Sequence, residues 1–346
     1  MGIRYSFQPG PSQLYPNVPS LIQKALQEGL LTRYHRDPVW RELFTQAQKA
    51  LTHFLELPPQ WLVVFTSSAT ETWQILVDAT QGLRSLHITQ GTFGERWHAL
   101  QRAANSSAKA YSWDFRMSER DISFLPRGVD YLAIVHTETS VGAAFPFISE
   151  IRAWYPEAWI AVDATSSMGG VRLPWEKIDM VFASVQKCLG LPPGLGVLVL
   201  SPRAIAHYGR GERSRYNSLC YLIQRAIDHE PPHTPNLLNI YLLAHSLGER
   251  PPLSEIEAQL ISRQRWLYQV LNQKGYKPLI SEPYRAITVL SVSPPHYHQT
   301  NALFASLQEK GFYLGRGYGR ESKTFFRIAN FPALSDHAYE ELLSYL

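Results

Sequence analysis

An α/β fold, built on a large and mainly parallel sheet flanked by helices and followed by a smaller C-terminal α+β domain, is predicted by three features. Short β-branched and aromatic runs alternate with amphipathic stretches from Trp61 to Leu200, the mark of βαβ units. After Asn217 the pattern lengthens into helical periods. A chain of 346 residues is also long enough for one core to split into two.

In chain order, the opening S-F-Q-P-G-P-S holds too many turn formers for a helix and is expected to lie extended. Residues 1–17 are read as an N-terminal segment packed with the small domain. Strands are expected at Trp61–Thr66, Ser85–Thr89, Ala108–Trp113, Tyr131–His136, Trp159–Val162, Met180–Ser184 and Gly196–Leu200, each of strand length and ending in polar or Gly-containing residues. Apolar residues at helical spacing predict helices over Phe93–Ala104 and, shorter, Ile148–Trp154. Pro251 and Pro252, within Glu249–Ser254, break the pattern and separate a large domain, 18–248, from a small one, 249–346. In the small domain, helices are expected at Glu255–Gln273, Thr300–Lys310 and Asp336–Leu346, with strands at Ala286–Val292 and Phe325–Ala329.

Composition excludes several classes of function. A net charge of +4 without a block of Lys and Arg argues against nucleic acid as a partner, while leaving room for a small anionic ligand. No apolar run approaches the roughly 18 to 20 residues that span a bilayer, so no membrane partner is expected. Cys188 and Cys220 make neither a disulfide framework nor the spacing of a metal site; no metal is expected, and a reducing cytoplasm fits. The opening M-G-I-R-Y-S lacks the pattern of a secretory signal, and its match to the permissive myristoylation pattern is no better than chance.

The stretch from Ala161 to Gly196 carries the chemistry. One expected strand runs into Asp163 and another into Ser184-Val185-Gln186-Lys187, which puts a carboxylate and an amine at the carboxyl ends of two strands. In open parallel sheets ligands bind along that edge, so the two groups can converge on one small molecule. A pyridoxal phosphate site needs such a pair: an amine to attach the carbonyl and a carboxylate to keep the ring nitrogen protonated. Alone, an Asp there is more often an N-cap and a Lys a solvated strand end. The Gly- and Pro-rich turn that follows Lys187, C-L-G-L-P-P-G-L-G, lets the backbone bend tightly around a ligand, which a plain surface loop does not require.

Around this stretch, Q-P-G-P, T-S-S-A-T-E-T, H-T-E-T-S-V-G, V-D-A-T-S-S, S-V-Q-K-C-L-G-L-P-P-G-L-G, H-T-P-N and F-F-R-I-A-N-F-P-A follow one another in order. In these motifs, over nearly its whole length, the sequence resembles the class V aminotransferases, above all their phosphoserine and alanine–glyoxylate branches. The resemblance implies fold-type I and pyridoxal 5′-phosphate as cofactor. It makes Lys187 the Schiff-base lysine and Asp163 the partner of the pyridinium nitrogen, the two catalytic residues, with Gln186 a neighbour of the cofactor. Ala69 and Thr70, after a strand and at the start of a helix, would offer N–H groups and the positive helix end to the cofactor phosphate; an ordinary N-cap explains Thr70 as well. Phe93 falls where the phosphoserine branch stacks a Trp on the ring, and it would serve equally as a core aromatic. Thr139 resembles the residue that bonds the ring hydroxyl, a satisfied loop threonine being the plainer reading. His233 and Thr234 match a motif through which a neighbouring subunit completes the phosphate site, which implies a homodimer with shared active sites.

For substrate, Arg327 resembles the arginine that forks onto the α-carboxylate, a role suited to a planar guanidinium, though a strand arginine is usually a surface ion-pair partner. His35 and Arg36, in Y-H-R-D, resemble a pair that approaches a distal anion; in a polar loop such a pair is as often merely solvated. The sequence departs from the phosphoserine branch at G-Y-G-R-E-S-K-T-F-F-R, where Glu321 stands between Arg320 and Lys323 in place of a second His-Arg pair. The implied reaction is a ping-pong transamination, from glutamate to 3-phosphohydroxypyruvate, with alanine or serine and glyoxylate as the alternative pair. A lyase of the cysteine desulfurase kind would need a mobile thiol, and Cys188 adjoins the lysine instead. A non-catalytic binder would not require Asp163, Lys187 and Arg327 together.

Overall fold

The computed structural model describes residues 2, 4–113, 125–211, 213–296, 300–319 and 322–346. The chain starts with β1 (Tyr5–Phe7), α1 (Val18–Gln27) and α2 (Pro38–Phe54). There follow β2 (Leu62–Thr66), α3 (Ala69–Ala79), β3 (Ser85–Thr89), α4 (Thr92–Ala104), β4 (Lys109–Ser112), β5 (Tyr131–Val135) and a small ribbon of β6 (Thr137–Glu138) and β7 (Ala143–Ala144). Next come α5 (Ile151–Trp154), β8 (Trp159–Asp163), β9 (Met180–Ser184), β10 (Gly196–Leu200) and the helices α6 (Pro202–Tyr208), α7 (Leu219–Ile227) and α8 (Leu237–Ser246). The last part holds α9 (Leu253–Gln273), β11 (Lys277–Pro278), β12 (Val289–Ser293), α10 (Thr300–Glu309), β13 (Phe312–Arg316), β14 (Phe326–Ala329) and α11 (Asp336–Tyr345).

Seven strands form the larger sheet in the order β2-β10-β9-β8-β5-β3-β4. From β9 to β4 all neighbours are parallel, and only β10 runs against both β9 and β2. The reason is local: a turn, not a helix, joins Ser184 to Gly196, and so short a link can only reverse the chain. Strands β5, β9 and β10 are buried along their whole length, as expected of a sheet covered on both faces. One apolar cluster, with Ile134, Val162 and Val181, packs one face against α2 and α8; another, with Trp73, Trp97 and Phe182, packs the opposite face against α3 and α4. Each such side chain withdrawn from water is worth about 1.5–3 kcal/mol.

The smaller sheet has the order β1-β13-β14-β12-β11. Its edge is β1, paired in parallel with β13, Tyr5 beside Phe312, while Phe7 sits in the core of this sheet. The expected strand over Ala286–Val292 starts only at Val289, because Ala286 donates its N–H to Gly142 O and Arg285 bridges to Ala143. The helix expected from Ile148 is reduced to the four residues of α5. Pro252 caps α9, which therefore begins at Leu253 and not at Glu255. Among the described residues no helix is long and apolar enough to cross a membrane.

Candidate active site

Helix α3 starts where it does because the Ser68 side chain caps it and Glu71 reaches back to the residue before the cap. Ser68 Oγ accepts from the Glu71 N–H at 3.1 Å, and Glu71 Oε2 accepts from the Ser67 N–H at 2.6 Å. The first residues of the helix thereby face a pocket of about 210 Å³ at the carboxyl edge of the larger sheet. Its walls include Gly10, Pro11, Ala69, Thr70, Trp73, Phe93, Thr139, Asp163, Gln186 and Lys187. The structure thus brings together seven expected residues there, and Arg327 joins them through a backbone contact described below.

Asp163 ends β8, and both of its carboxylate oxygens are engaged: Trp73 Nε1–H donates to Oδ2 at 2.8 Å and the Thr165 N–H to Oδ1 at 2.9 Å. Burial pushes its carboxyl above the ordinary range, opposed by the bonds from Thr165 and Trp73 and by the charge of Lys187. Lys187 Nζ donates to Ser166 Oγ at 3.0 Å and Thr139 Oγ1 at 3.3 Å. Desolvation lowers this amine to about 8, with Arg327 acting in the same direction and Asp163 against it. Near neutrality an appreciable fraction is therefore uncharged and nucleophilic. Gly10 presses on the stem of the lysine: a Cβ there would stand 2.7 Å from Lys187 Cε, and its φ of +135° also favours glycine.

At the start of α3, Ala69 has its N–H committed to Ser184 Oγ at 2.8 Å, while Thr70 is exposed toward the pocket. Gln186 lines the same wall, and its buried Oε1 has no hydrogen-bond partner among the described residues. Phe93 opens α4, with its ring centroid 5.6 Å from Lys187 Nζ. Its position is fixed by Glu138, a fully buried carboxylate that accepts from the N–H groups of Phe93, Gly94 and Ser140 and from Ser140 Oγ. Burial raises the Glu138 carboxyl, and these bonds resist the rise.

Arg327 lies on β14, 8% exposed, and donates through Nε to Arg316 O and through Nη1 to Thr139 O, each at 2.9 Å. Thr139 therefore touches Lys187 with its hydroxyl and Arg327 with its carbonyl. Burial lowers the Arg327 guanidinium to about 10, which leaves it a cation at neutral pH.

The remaining expected residues are elsewhere in the chain. His35 and Arg36 sit before α2, with Arg36 exposed and bonded through Nη1 to Tyr34 OH at 3.4 Å. His35 Nδ1 lies 3.4 Å from Thr234 Oγ1. His233 and Thr234 line a separate hollow of about 160 Å³ with Gln48, Arg225 and Glu230. Within one chain none of these four lines the Asp163–Lys187 pocket. Lys323 is exposed on the turn before β14; Arg320 and Glu321 lie outside the described residues. The Cys188 thiol is buried against Ser166 O at 3.4 Å and pushed far above its usual range, which removes it as a mobile nucleophile.

Sequence reasoning overlooked Trp73, Glu138, Ser166 and the Gly10–Pro11 wall. Trp73 was findable, since it lies four residues past Ala69 and so on the same helical face. Gly10 and Pro11 stand inside Q-P-G-P, a motif noticed without a role. Glu138 stands inside H-T-E-T-S-V-G, but nothing local shows that it reaches the start of α4.

The description "Aminotransferase class-V" matches residues 4–319. The chain belongs to the class V aminotransferase family. A phosphoserine aminotransferase of Nocardioides sp. is 25% identical over 345 residues, covering 94% of this chain and 91% of the relative. Among solved structures, a phosphoserine aminotransferase from Cytophaga hutchinsonii superposes with a TM-score of 0.92 at 29% identity, covering 100% of this chain and 99% of the other. An alanine–glyoxylate aminotransferase from Nostoc sp. shares the fold, with a TM-score of 0.84 at 21% identity over 100% of this chain and 94% of the other.

Proposed function

We propose that this chain is a pyridoxal-phosphate-dependent phosphoserine aminotransferase, converting glutamate and 3-phosphohydroxypyruvate into 2-oxoglutarate and phosphoserine. The observation that carries this is the placement of a buried carboxylate, Asp163, and a buried, partly neutral amine, Lys187, at the ends of adjacent parallel strands in one pocket. The donor set fits the cofactor. Asp163 suits a protonated ring nitrogen, whose positive charge would offset the cost of burying the carboxylate. Lys187 suits a carbonyl, the start of α3 suits a phosphate, and the orphaned Gln186 Oε1 is an acceptor in want of a donor.

When bound, pyridoxal phosphate supplies an electron sink for the pair left at Cα. Lys187 would hold the cofactor through Nζ, and its free amine would serve as the base and acid that moves the substrate's Cα proton. Asp163 would face the ring nitrogen and favour its protonated form. Arg327 takes the α-carboxylate: two of its donors are anchored on backbone carbonyls, which fixes the guanidinium plane, and it has donors to spare. That anchoring aligns the Cα–H bond for transfer. Phe93 would cover the ring and Thr139 would meet its hydroxyl.

His35 and Arg36 take the distal anion, and His233 and Thr234 complete a phosphate site, each in a dimer where one chain serves the pocket of the other. The exposed rings of Tyr34 and Tyr216 beside these residues suit a covered surface. We divide the chain at 248/249 into a large and a small domain and place it in the cytoplasm, where its two free thiols stay reduced.

The test is an absorbance titration of the protein loaded with cofactor. Glutamate should bleach the long-wavelength cofactor band and 3-phosphohydroxypyruvate should restore it. Restoration by glyoxylate alone would favour the second reading, an alanine- or serine–glyoxylate aminotransferase, which the location of His35 and Arg36 outside the pocket wall of their own chain supports. Absence of any cofactor band ends both.

A further inference from the structure

We infer that Tyr318 is a specificity-determining residue that packs its ring against both Phe93 and the guanidinium of Arg327, backing the cation whose plane the two backbone bonds set. The inference rests on the reading of Arg327 as the carboxylate holder and extends it to a residue without an assigned role. Tyr318 follows β13 on the loop Gly317–Gly319, yet its ring packs across to the larger sheet's side of the site. It lies almost parallel to Phe93, at 5.6 Å between centroids and 12° between planes. The Arg327 guanidinium carbon is 5.4 Å from the centroid of the same Tyr318 ring. One side chain therefore touches both the aromatic residue that faces Lys187 and the cation next to it. It does so while 37% exposed.

The loop is built to hold it there. A Cβ on Gly317 would collide with Ser322 O at 2.3 Å and Phe325 O at 2.6 Å, so the backbone before Tyr318 is clamped against the approach to β14. Gly319 adopts a φ of +76°, and a Cβ on it would come within 2.9 Å of Thr92 Oγ1, at the start of α4. Phe93, in turn, is pinned by Glu138. The ring of Tyr318 thus has a rigid floor and a fixed root. A guanidinium beside an aromatic face is attracted to it and loses rotational freedom, which favours two-point capture of a carboxylate. The ligand class this selects is a carboxylic acid whose chain extends away from the ring.

Glutarate serves as the probe, since it is a dicarboxylate without an amino group to react. Its dissociation constant is measured calorimetrically on cofactor-loaded protein for wild type, Tyr318→Phe, Tyr318→Ala and Arg327→Ala, together with KM and kcat for glutamate. We expect Tyr318→Ala to weaken glutarate and raise the glutamate KM by about five- to tenfold, with kcat changed less than about threefold. Tyr318→Phe should stay within about twofold of wild type. Equal damage from Phe and Ala would show that the hydroxyl acts and not the ring face, and would overturn the proposal; so would an Ala variant indistinguishable from wild type, or a wild type that does not bind glutarate. If glutarate binding depends on Tyr318 as predicted but no amino acid is turned over, the transaminase reading falls and the role of Tyr318 stands. Turnover that ignores Tyr318 gives the opposite result.

Discussion

The Asp163–Lys187 pocket and the surface around His35 and Thr234 are both rich in polar groups, but they are built on opposite principles. In the pocket every charge is withdrawn from water and held by named donors or acceptors, and the ionisation of Asp163, Lys187, Glu138 and Arg327 is displaced by burial. Around His35 and Arg36 the groups lie at the surface and are joined by long contacts of 3.4 Å. Buried polar groups can be tuned and cost stability when unpaired; exposed ones acquire a role only when something else covers them.

The contrast is broken most severely at Lys187. Substitution Lys187→Ala should lower kcat/KM by at least about 10³-fold and prevent covalent attachment of the cofactor, with the far-ultraviolet circular dichroism unchanged. Retained turnover would refute the mechanism. Glu138→Ala, which strands four buried donors, is expected to destabilise the fold by about 2–4 kcal/mol in urea melts. Arg327→Ala should raise the KM for glutamate about 10- to 100-fold, and Arg327→Lys should recover only part, because an ammonium cannot reproduce the fork.

Smaller in size but sharper in sign is the effect of pH. With its amine depressed to about 8, Lys187 is protonated below that value and neutral above it. The rate at which pyridoxal phosphate attaches to protein stripped of it should therefore climb as pH rises through about 8 and then level off. A rate independent of pH across that range would show that Lys187 is not the attaching amine. The least effect is expected on the surface. Arg36→Glu should cost about tenfold or less in kcat/KM with 3-phosphohydroxypyruvate, under about twofold with glyoxylate, and nothing measurable in thermal stability.

Legibility in the sequence followed the same division. Asp163 and Lys187 could be read because each follows a buried β-branched run, and local patterning reports both the strand and the place where it ends. The seven strands of the larger sheet were readable for that reason. The reversal of β10 was also encoded, in the absence of any helical stretch between Ser184 and Gly196, but its meaning appears only once β9 and β10 are known to be neighbours. Other features depend on residues far apart in the chain and leave no periodic trace. Glu138 beneath Phe93, Gly10 against Lys187, and Tyr318 between Phe93 and Arg327 are meetings of segments from different ends of the fold. The late start of β12 belongs with them, since a bond from Ala286 to Gly142 decided it.

The pairing of β1 with β13 bears on how the molecule is assembled. Tyr5–Phe7 is made well before its partner, Phe312–Leu314. Until β13 has emerged, the strand leading to Gly10 and Pro11 has no ladder to join, and one wall of the pocket is missing from the nascent chain. Such a contact between distant segments is slow to form, because a long loop must close before it is rewarded. Closure of that wall thus waits on the making of β13.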